Sequence, residues 1–422
     1  MKLFLILVLL APLIAAGQPD SLVIPAPATV DISFLVAEAM ENNPEIRAAV
    51  HEMDARDAHA SQTGTLDPPR LQFMQEGMPD FDFGQAMYTR IDFMQSIPFP
   101  TKLVTERRIA RIQAEHAHHD HLEIVNGIIN RLKSAYANLW HVQQTMVLDR
   151  ENARLMEEYA NVAQTRYGTA GATQQDVLKA QIEKALIQND LLSLRQQELS
   201  FKAMMMALLN RAPSDTIGYA VIPEDVVFDA NLDTLLAAAR SLRPMLTHDS
   251  LMVTESEEMY SRAKEEYLPD FTAGLQRMTS PTSDFRGWSV TVGISLPFFP
   301  WALSGTKSKS DEAIASIEKA RDLYTASQNS VSETIRELYY KASASRDQLK
   351  TYGYGILPKA QEVLEGSLAN YRAGLTDFLM LLDSYRSVVR VTKEYYDLRL
   401  QFEQTVADLE FAVGEQNISS LK

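Results

Sequence analysis

Between Lys102 and Arg166 the chain carries no proline and a single glycine, Gly127. A helix over that run would be about 100 Å long at 1.5 Å per residue, several times the diameter of a small domain. A compact globule cannot bury such an element along its length. The chain therefore has to be organised around long helices, and their spacing sets the rest of the plan.

The plan is used twice. Ala37-Glu38-Ala39 with Pro44 recurs as Ala237-Ala238-Ala239 with Pro244, Ser96-Ile97-Pro98-Phe99 as Ser295-Leu296-Pro297-Phe298, and Tyr167-Gly168-Thr169-Ala170-Gly171 as Tyr371-Arg372-Ala373-Gly374. The offsets are 200 (44 to 244), 199 (98 to 297) and 204 (167 to 371), in one order along the chain. Matches at nearly one period mark an internal repeat. Each half reads helix, strand, strand, long helix, turn, long helix. In the first half the helices are expected over Ser33–Gln62 with Asp31 as cap, Lys102–Arg166 and Gln174–Asn210, and the strands over Leu71–Gly77 and Met87–Ile97. In the second the helices fall over Leu232–Glu266, Gly305–Tyr371 and Thr376–Val413, and the strands over Phe271–Met278 and Gly287–Leu296. Gly353, Gly355 and Pro358 predict a break or kink in the middle helix of that half. The division is then a first repeat over 18–210, a linker over 211–230, a second repeat over 231–415 and a tail over 416–422.

Composition narrows the function classes. The 422 residues are 46% hydrophobic and 23% charged, which fits neither a disordered chain nor a bundle of membrane helices. The net charge of −15 argues against a nucleic-acid partner, which would call for a basic footprint. There is no cysteine, so disulfides, thiolate metal sites and a cysteine-borne lipid anchor are excluded. Residues 1–17 read as an export signal: Lys2, an apolar run from Leu3 to Ile14, and the small residues Ala15-Ala16-Gly17. No later stretch reaches the ~20 apolar residues of a spanning helix. If the exported chain enters a membrane, it does so as a β-barrel.

The strands fit that requirement. Trp288, Val290, Val292, Ile294 and Leu296 alternate without error against Ser289, Thr291, Gly293 and Ser295. In a transmembrane barrel these are a lipid face and a wet face; on a soluble sheet the same pattern would cover a core. The earlier strand divides in the same way, with Met87, Thr89, Ile91, Phe93 and Ile97 opposite Arg90, Asp92 and Ser96. Four strands cannot close a barrel, whose smallest members have about eight. Several copies would have to share one, and long helices suit a conduit leaving a membrane.

At this point the chain resembles the TolC-like outer-membrane efflux family over nearly its whole length. The duplicated order of elements carries the resemblance, with Gln95-Ser96-Ile97-Pro98-Phe99-Pro100 and Ser295-Leu296-Pro297-Phe298-Phe299-Pro300 after the strands, and two tip motifs. The first tip is Arg166-Tyr167-Gly168-Thr169-Ala170-Gly171 followed by Asp176-Val177-Leu178-Lys179-Ala180-Gln181, similar to the family's Arg-Tyr-x-x-Gly and Asp-Val-Leu-x-Ala-Gln, with Ala170 at the usual glycine position. The second is Tyr371-Arg372-Ala373-Gly374 followed by Leu381-Leu382-Asp383, with Met380 where the family often has Asp. The resemblance implies a mainly helical homotrimer in which three copies of four strands form one 12-strand barrel and the helices a tunnel through the periplasm. It implies tips that close the inner end and dock on a periplasmic adaptor bound to an inner-membrane pump. Asp67-Pro68-Pro69-Arg70-Leu71, Gly77-Met78-Pro79 and the Pro-Phe-Pro motif are similar to members serving heavy-metal efflux. The residues carried over to the tip and its gating are Arg166, Tyr167, Gly171, Asp176, Tyr371, Arg372, Gly374, Asp377 and Asp383; Trp288, Val290, Val292 and Ile294 are carried to the lipid face.

Several of these residues have a plainer role. Asp176 lies three after Thr173, which is capping-box spacing. Gly171 and Gly374 sit where the chain must reverse. Asp383, repeated around a narrow mouth, would attract cations; alone it is a solvated helix residue. Glu115-His116-Ala117-His118-His119-Asp120-His121 holds four of the eight histidines. His116 and His119 share a helix face, as do His118 and His121, so the four are weak metal candidates, since one helix face offers fewer ligands than a closed site needs. Met204-Met205-Met206 reads as packing. No catalytic constellation and no cofactor motif stands out. The expectation is a non-enzymatic outer-membrane exit channel that passively passes small solutes or metal cations. The alternatives are a periplasmic coiled-coil scaffold or adaptor without a pore, and a secreted hydrolase with a helical domain.

Overall fold

The computed structural model describes residues 29–78, 82–168, 172–280 and 283–418. The expected export signal and Gly171 lie outside them. The first half begins with the short strand β1 (Thr29–Val30) and the helices α1 (Ile32–Asn42) and α2 (Pro44–Gln62), followed by strands β2 (Arg70–Glu76) and β3 (Tyr88–Ile97) and helices α3 (Pro100–Gly168) and α4 (Gln174–Leu208). The second half begins at β4 (Tyr219–Ala220) and repeats the order with α5 (Leu232–Leu242), α6 (Pro244–Glu265), β5 (Phe271–Thr279), β6 (Arg286–Ile294), α7 (Pro300–Thr351), α8 (Leu357–Ala373) and α9 (Phe378–Val413).

Asp31 caps α1 as expected, its carboxylate accepting the Ser33 N–H at 2.8 Å. The helix expected over Ser33–Gln62 is, however, two helices. Pro44 pushes the residue before it out of the helical region, and Asn43 sits at φ −65°, ψ 127°. The Asn43 side chain then caps α2 through the N–H groups of Glu45 and Ile46. Arg243 before Pro244 divides the counterpart helix in the same way. The break expected near Gly353 takes another form. The chain stays helical through one π-turn, Tyr352–Ile356, in which the Leu357 N–H reaches back to the Tyr352 carbonyl. The wide turn absorbs the clash Pro358 would cause in a regular helix.

Helix α3 has 69 residues and packs along its length on α2 and α6, then on α4 and α9. Small residues allow the close approach near the strands, where Ala60, Ala110 and Ala114 form a separate alanine contact. Two larger cores sit mid-molecule and mirror the duplication. One gathers Leu35, Ile128, Leu132, Leu139 and Met205, the other Leu235, Ile335, Leu349, Phe402 and Leu409. The Tyr136 hydroxyl donates to the Val30 carbonyl at 2.8 Å and accepts from the Val221 N–H at 2.7 Å, pinning the parallel pair β1–β4 to α3. A third core, with Met156, Tyr159, Tyr371, Phe378, Leu381 and Tyr385, ties the α3–α4 hairpin to the α8–α9 hairpin at the far end.

Candidate functional site

The two ends of the long helices carry the functional features. At one end β2, β3, β5 and β6 form a single antiparallel sheet in that order. The register places Leu71 beside Phe93, Phe93 beside Leu275 and Leu275 beside Val290. Since side chains alternate, one face collects Leu71, Phe73, Ile91, Phe93, Phe271, Leu275, Trp288, Val290, Val292 and Ile294. The opposite face collects Gln72, Glu76, Arg90, Asp92, Ser96, Thr272, Gln276, Ser289 and Thr291. Among the described residues the apolar face is left open along β6, where Trp288, Val290 and Val292 are 65%, 77% and 81% exposed. Two charges lie on that face, both toward the β5–β6 turn: Arg286 beside Thr279, and Arg277 directly across from Trp288 with its guanidinium 5.0 Å from the ring centre. Both outer strands, β2 and β6, leave one edge unpaired among the described residues. Among the described residues no helix is long and apolar enough to cross a membrane.

The sheet is clamped to the helices by a group the sequence reading missed. Lys102, only 4% exposed, places Nζ 2.8 and 3.0 Å from the two Asp270 oxygens. The Phe99 N–H donates to the same carboxylate at 2.9 Å, and the Asp270 N–H donates to Ser295 Oγ at 2.7 Å. Asp270 thus joins the two copies of the repeated strand-end motif. Burial alone would raise its carboxyl, but Lys102 and the Phe99 N–H hold it below the ordinary range. Asp270→Ala leaves the buried ammonium without its partner, at a cost of about 2–3 kcal/mol, the lower end reflecting the partial solvation of Asp270. The denaturant midpoint of the variant falls accordingly, and Lys102→Met in the same chain recovers most of the loss.

At the other end the two tips meet. The Arg166 guanidinium, at the end of α3, donates to the Tyr371 carbonyl and lies 4.7 Å from the centre of the Tyr371 ring. Tyr371 is buried against Phe378, ring centres 5.7 Å apart. Burial raises its hydroxyl pKa. Gly374 has φ +78° and closes α8, with the Leu375 N–H bonded to the Asn370 carbonyl at 2.9 Å. Asp176 caps α4, accepting the Thr173 N–H at 3.0 Å, and Asp377 caps α9, accepting the Met380 N–H at 2.9 Å. Tyr167, Arg372 and Asp383 are exposed, and neither Arg372 nor Asp383 makes a hydrogen bond or ion pair among the described residues. Arg386 on α9 pairs with Glu183 on α4, a second link between hairpins that carried no sequence signal.

Among the described residues no three histidine, aspartate or glutamate side chains of the histidine run and its neighbours converge as a metal site would need. The helix spreads the run over different neighbours. His116 turns inward, with Nε2 2.9 Å from Glu255 and its ring 4.5 Å from that of His248, whereas His118 faces Asp57 on α2 at 3.6 Å. Burial lowers the His119 pKa from 6.5, and the His116 contact holds the Glu255 carboxyl below its ordinary 4.5. A depressed histidine stays neutral in the fold while the unfolded chain takes up the proton, so stability is lost as pH falls below about 6.5. A depressed carboxylate loses its contribution lower, as pH falls through its folded value beneath about 4.5. Acid melting of the detergent-solubilised protein is expected to show both windows. His119→Phe removes the upper one and leaves the lower.

A four-stranded sheet with a bare apolar face, carried on a duplicated pair of very long helical hairpins, is an architecture found in solved outer-membrane channels. Residues 235–415 match the family described as outer membrane efflux protein. The cobalt-zinc-cadmium resistance protein CzcC of Cupriavidus metallidurans is 22% identical over 401 residues, covering 92% of this chain and 90% of that protein. The solved structure of CusC superposes with a TM-score of 0.76 at 14% identity, covering 91% of this chain and 92% of the other. That of VceC from Vibrio cholerae does so with 0.76 at 16% identity, covering 91% and 96%. The second half of the chain thus matches the outer membrane efflux protein family, and the chain shares the fold of these solved structures over nine-tenths of its length.

Proposed function

We propose that three copies of this chain form the exit duct of a tripartite efflux system, passing small solutes, divalent metal cations among them, from the periplasm to the exterior. The bare apolar face with two unpaired strand edges carries this reading. In lipid an unpaired edge is not tolerated, so β6 of one copy pairs with β2 of the next until the barrel closes. The polar face then lines the lumen, and the long helices continue the duct toward a periplasmic adaptor and an inner-membrane pump. The duct performs no chemistry and holds no cofactor; cargo moves down a path that the partners energise. Residues 1–17 direct export and are removed, and the two repeats over 18–210 and 231–415 act through the linker 211–230 as one unit. The likeness to CzcC supports metal cations as cargo. The tips form the inner gate, where Asp383 from each copy makes an acidic ring and Arg166, Tyr167, Gly171, Arg372 and Gly374 shape the closed mouth.

Planar-bilayer recording on protein purified from detergent-solubilised outer membranes tests the reading. Discrete, cation-favouring steps from a trimeric species are expected, with Zn2+ permeating from the helical side. A protein that stays out of membranes and gives no current would move the assignment to a periplasmic coiled-coil scaffold. Against that scaffold stands the exposure of Trp288, Val290 and Val292, which water would penalise by roughly 25 cal/mol for each Å² left wet.

A further inference from the structure

The second repeat carries one residue that the first lacks. Leu132 and Ile335 are buried in the matching cores, and the tyrosines four residues on, Tyr136 and Tyr339, lie 203 apart (136 to 339). The tip tyrosines Tyr167 and Tyr371 lie 204 apart (167 to 371). The added residue is taken up by the π-turn Tyr352–Ile356, whereas α3 passes the same level as unbroken α-helix. Bulges of this kind gather at functional sites. Here the turn borders a cleft of about 600 Å³ shared with α3, α9 and the linker at 222–227. On α3 and α9 the cleft is aromatic: Trp140 and Tyr396 meet edge to face at 5.9 Å, and Tyr395 lies 6.1 Å from Tyr396. Tyr354 on the π-turn adds a fourth ring, 85% exposed. Gly353 beside it leaves the cleft open, since the nearest neighbour of a Cβ there would be the Tyr395 ring at 3.5 Å. The linker wall is held by the buried Arg399, which donates to the Pro223 and Glu224 carbonyls at 2.8 and 3.3 Å. Gln144, Lys350, Glu224 and Asp225 also line the cleft, and none of their side chains has a hydrogen bond or ion pair among the described residues.

We propose that this cleft binds a hydroxylated sugar ring, free or as one unit of a glycan strand. The volume is that of a small-molecule site. Its chemistry excludes the other ligand classes. A greasy ligand would strip water from an amide, an ammonium and two carboxylates and pair with none of them. A simple ion of either sign would meet Lys350 beside Glu224 and Asp225. A pyranose offers a donor and an acceptor at every hydroxyl, which suits a mixed set of amide, ammonium and carboxylate partners. Its C–H faces are apolar and flat enough to lie on Tyr354, Tyr395 or Tyr396, whose rings are apolar bodies with a polar tip. The cleft is built within one chain, away from both the sheet and the tips, so it stands independently of the duct reading.

Trp140 supplies the readout, because Trp288→Phe with Trp301→Phe leaves it as the chain's only tryptophan. The full chain is purified in lauryldimethylamine oxide, since a maltoside or glucoside detergent would itself present sugar rings. Its emission is titrated with glucose and N-acetylglucosamine, and with cellotetraose and chitotetraose. A saturable change in Trp140 emission is expected. A lower midpoint for a tetramer than for its monomer identifies the ligand as a glycan strand, and equal midpoints identify it as a free sugar. Gly353→Leu, which fills the cleft, and Tyr354→Ala, which removes an exposed ring, are each expected to raise the midpoint about tenfold or more without lowering the melting temperature. If none of the four sugars changes the emission, or if both variants respond as the parent does, the proposal is overturned and the duct reading is untouched.

Discussion

Val292→Arg is expected to abolish assembly of the membrane barrel, while Thr291→Arg, one residue away, is expected to leave assembly intact. Val292 points from β6, two residues past the strand's midpoint at Val290, onto the apolar face and is 81% exposed. An arginine at the midplane of a barrel's lipid face costs about 2–4 kcal/mol per copy. A cost near 3 kcal/mol is roughly a hundredfold in an equilibrium constant. Three copies assemble together, so the penalty enters once for each. Thr291 faces the other way, beside Gly274 on β5 and among the polar side chains of the opposite face. There a guanidinium stays wet, and its charge shifts the reversal potential toward anions. Detergent-resistant trimer on gels and bilayer currents measure the two outcomes. Equal assembly of both variants would sink the lipid-face assignment, and equal failure would mean that both faces are packed against protein.

The contrast also explains why β6 was readable from sequence. A period of two over nine residues is a local property and needs no knowledge of neighbours. The same holds for the capping of α4 by Asp176, given by a spacing of three, and for the length of α3, given by the absence of breakers. The divisions at Asn43 and Arg243 are equally local: Pro44 and Pro244 mark the repeat and also displace the residue before each from the helical region. Long-range pairings were not legible. Lys102 and Asp270 are 168 residues apart, His116 and Glu255 139, and Arg166 and Tyr371 205. A histidine run looks like a ligand set until the fold shows that one member is paired with a buried carboxylate and another faces a different helix. The tip residues carried over by resemblance divide likewise: among the described ones, Asp176, Gly374 and Asp377 serve the helix ends, and Arg166 and Tyr371 connect one tip to the other.

That connection carries the second large effect. Arg166→Ala is expected to raise the single-channel open probability about tenfold with little change in melting. The arginine stacks on a tyrosine ring and donates to a carbonyl in the last turn of α8, a combination worth about 1–2 kcal/mol in a half-buried setting. The carbonyl is not orphaned when the guanidinium leaves, because the Gly374 N–H also donates to it at 3.1 Å. Helix α8 therefore keeps its end, and what is lost is one of the links between the second tip and the first, the Arg386–Glu183 pair and the shared core remaining. An energy of that size, spent only in the closed arrangement, moves a two-state gate by about tenfold. Arg166→Lys is expected to restore little, since an ammonium lacks the planar face that stacks on the ring. Arg372→Ala and Asp383→Ala are expected to act on the gate through contacts between copies, since neither residue has a hydrogen bond or ion pair among the described residues. An Arg166→Ala trimer that folds and conducts as the parent does would assign the closed tip to those contacts between copies rather than to the Arg166–Tyr371 link.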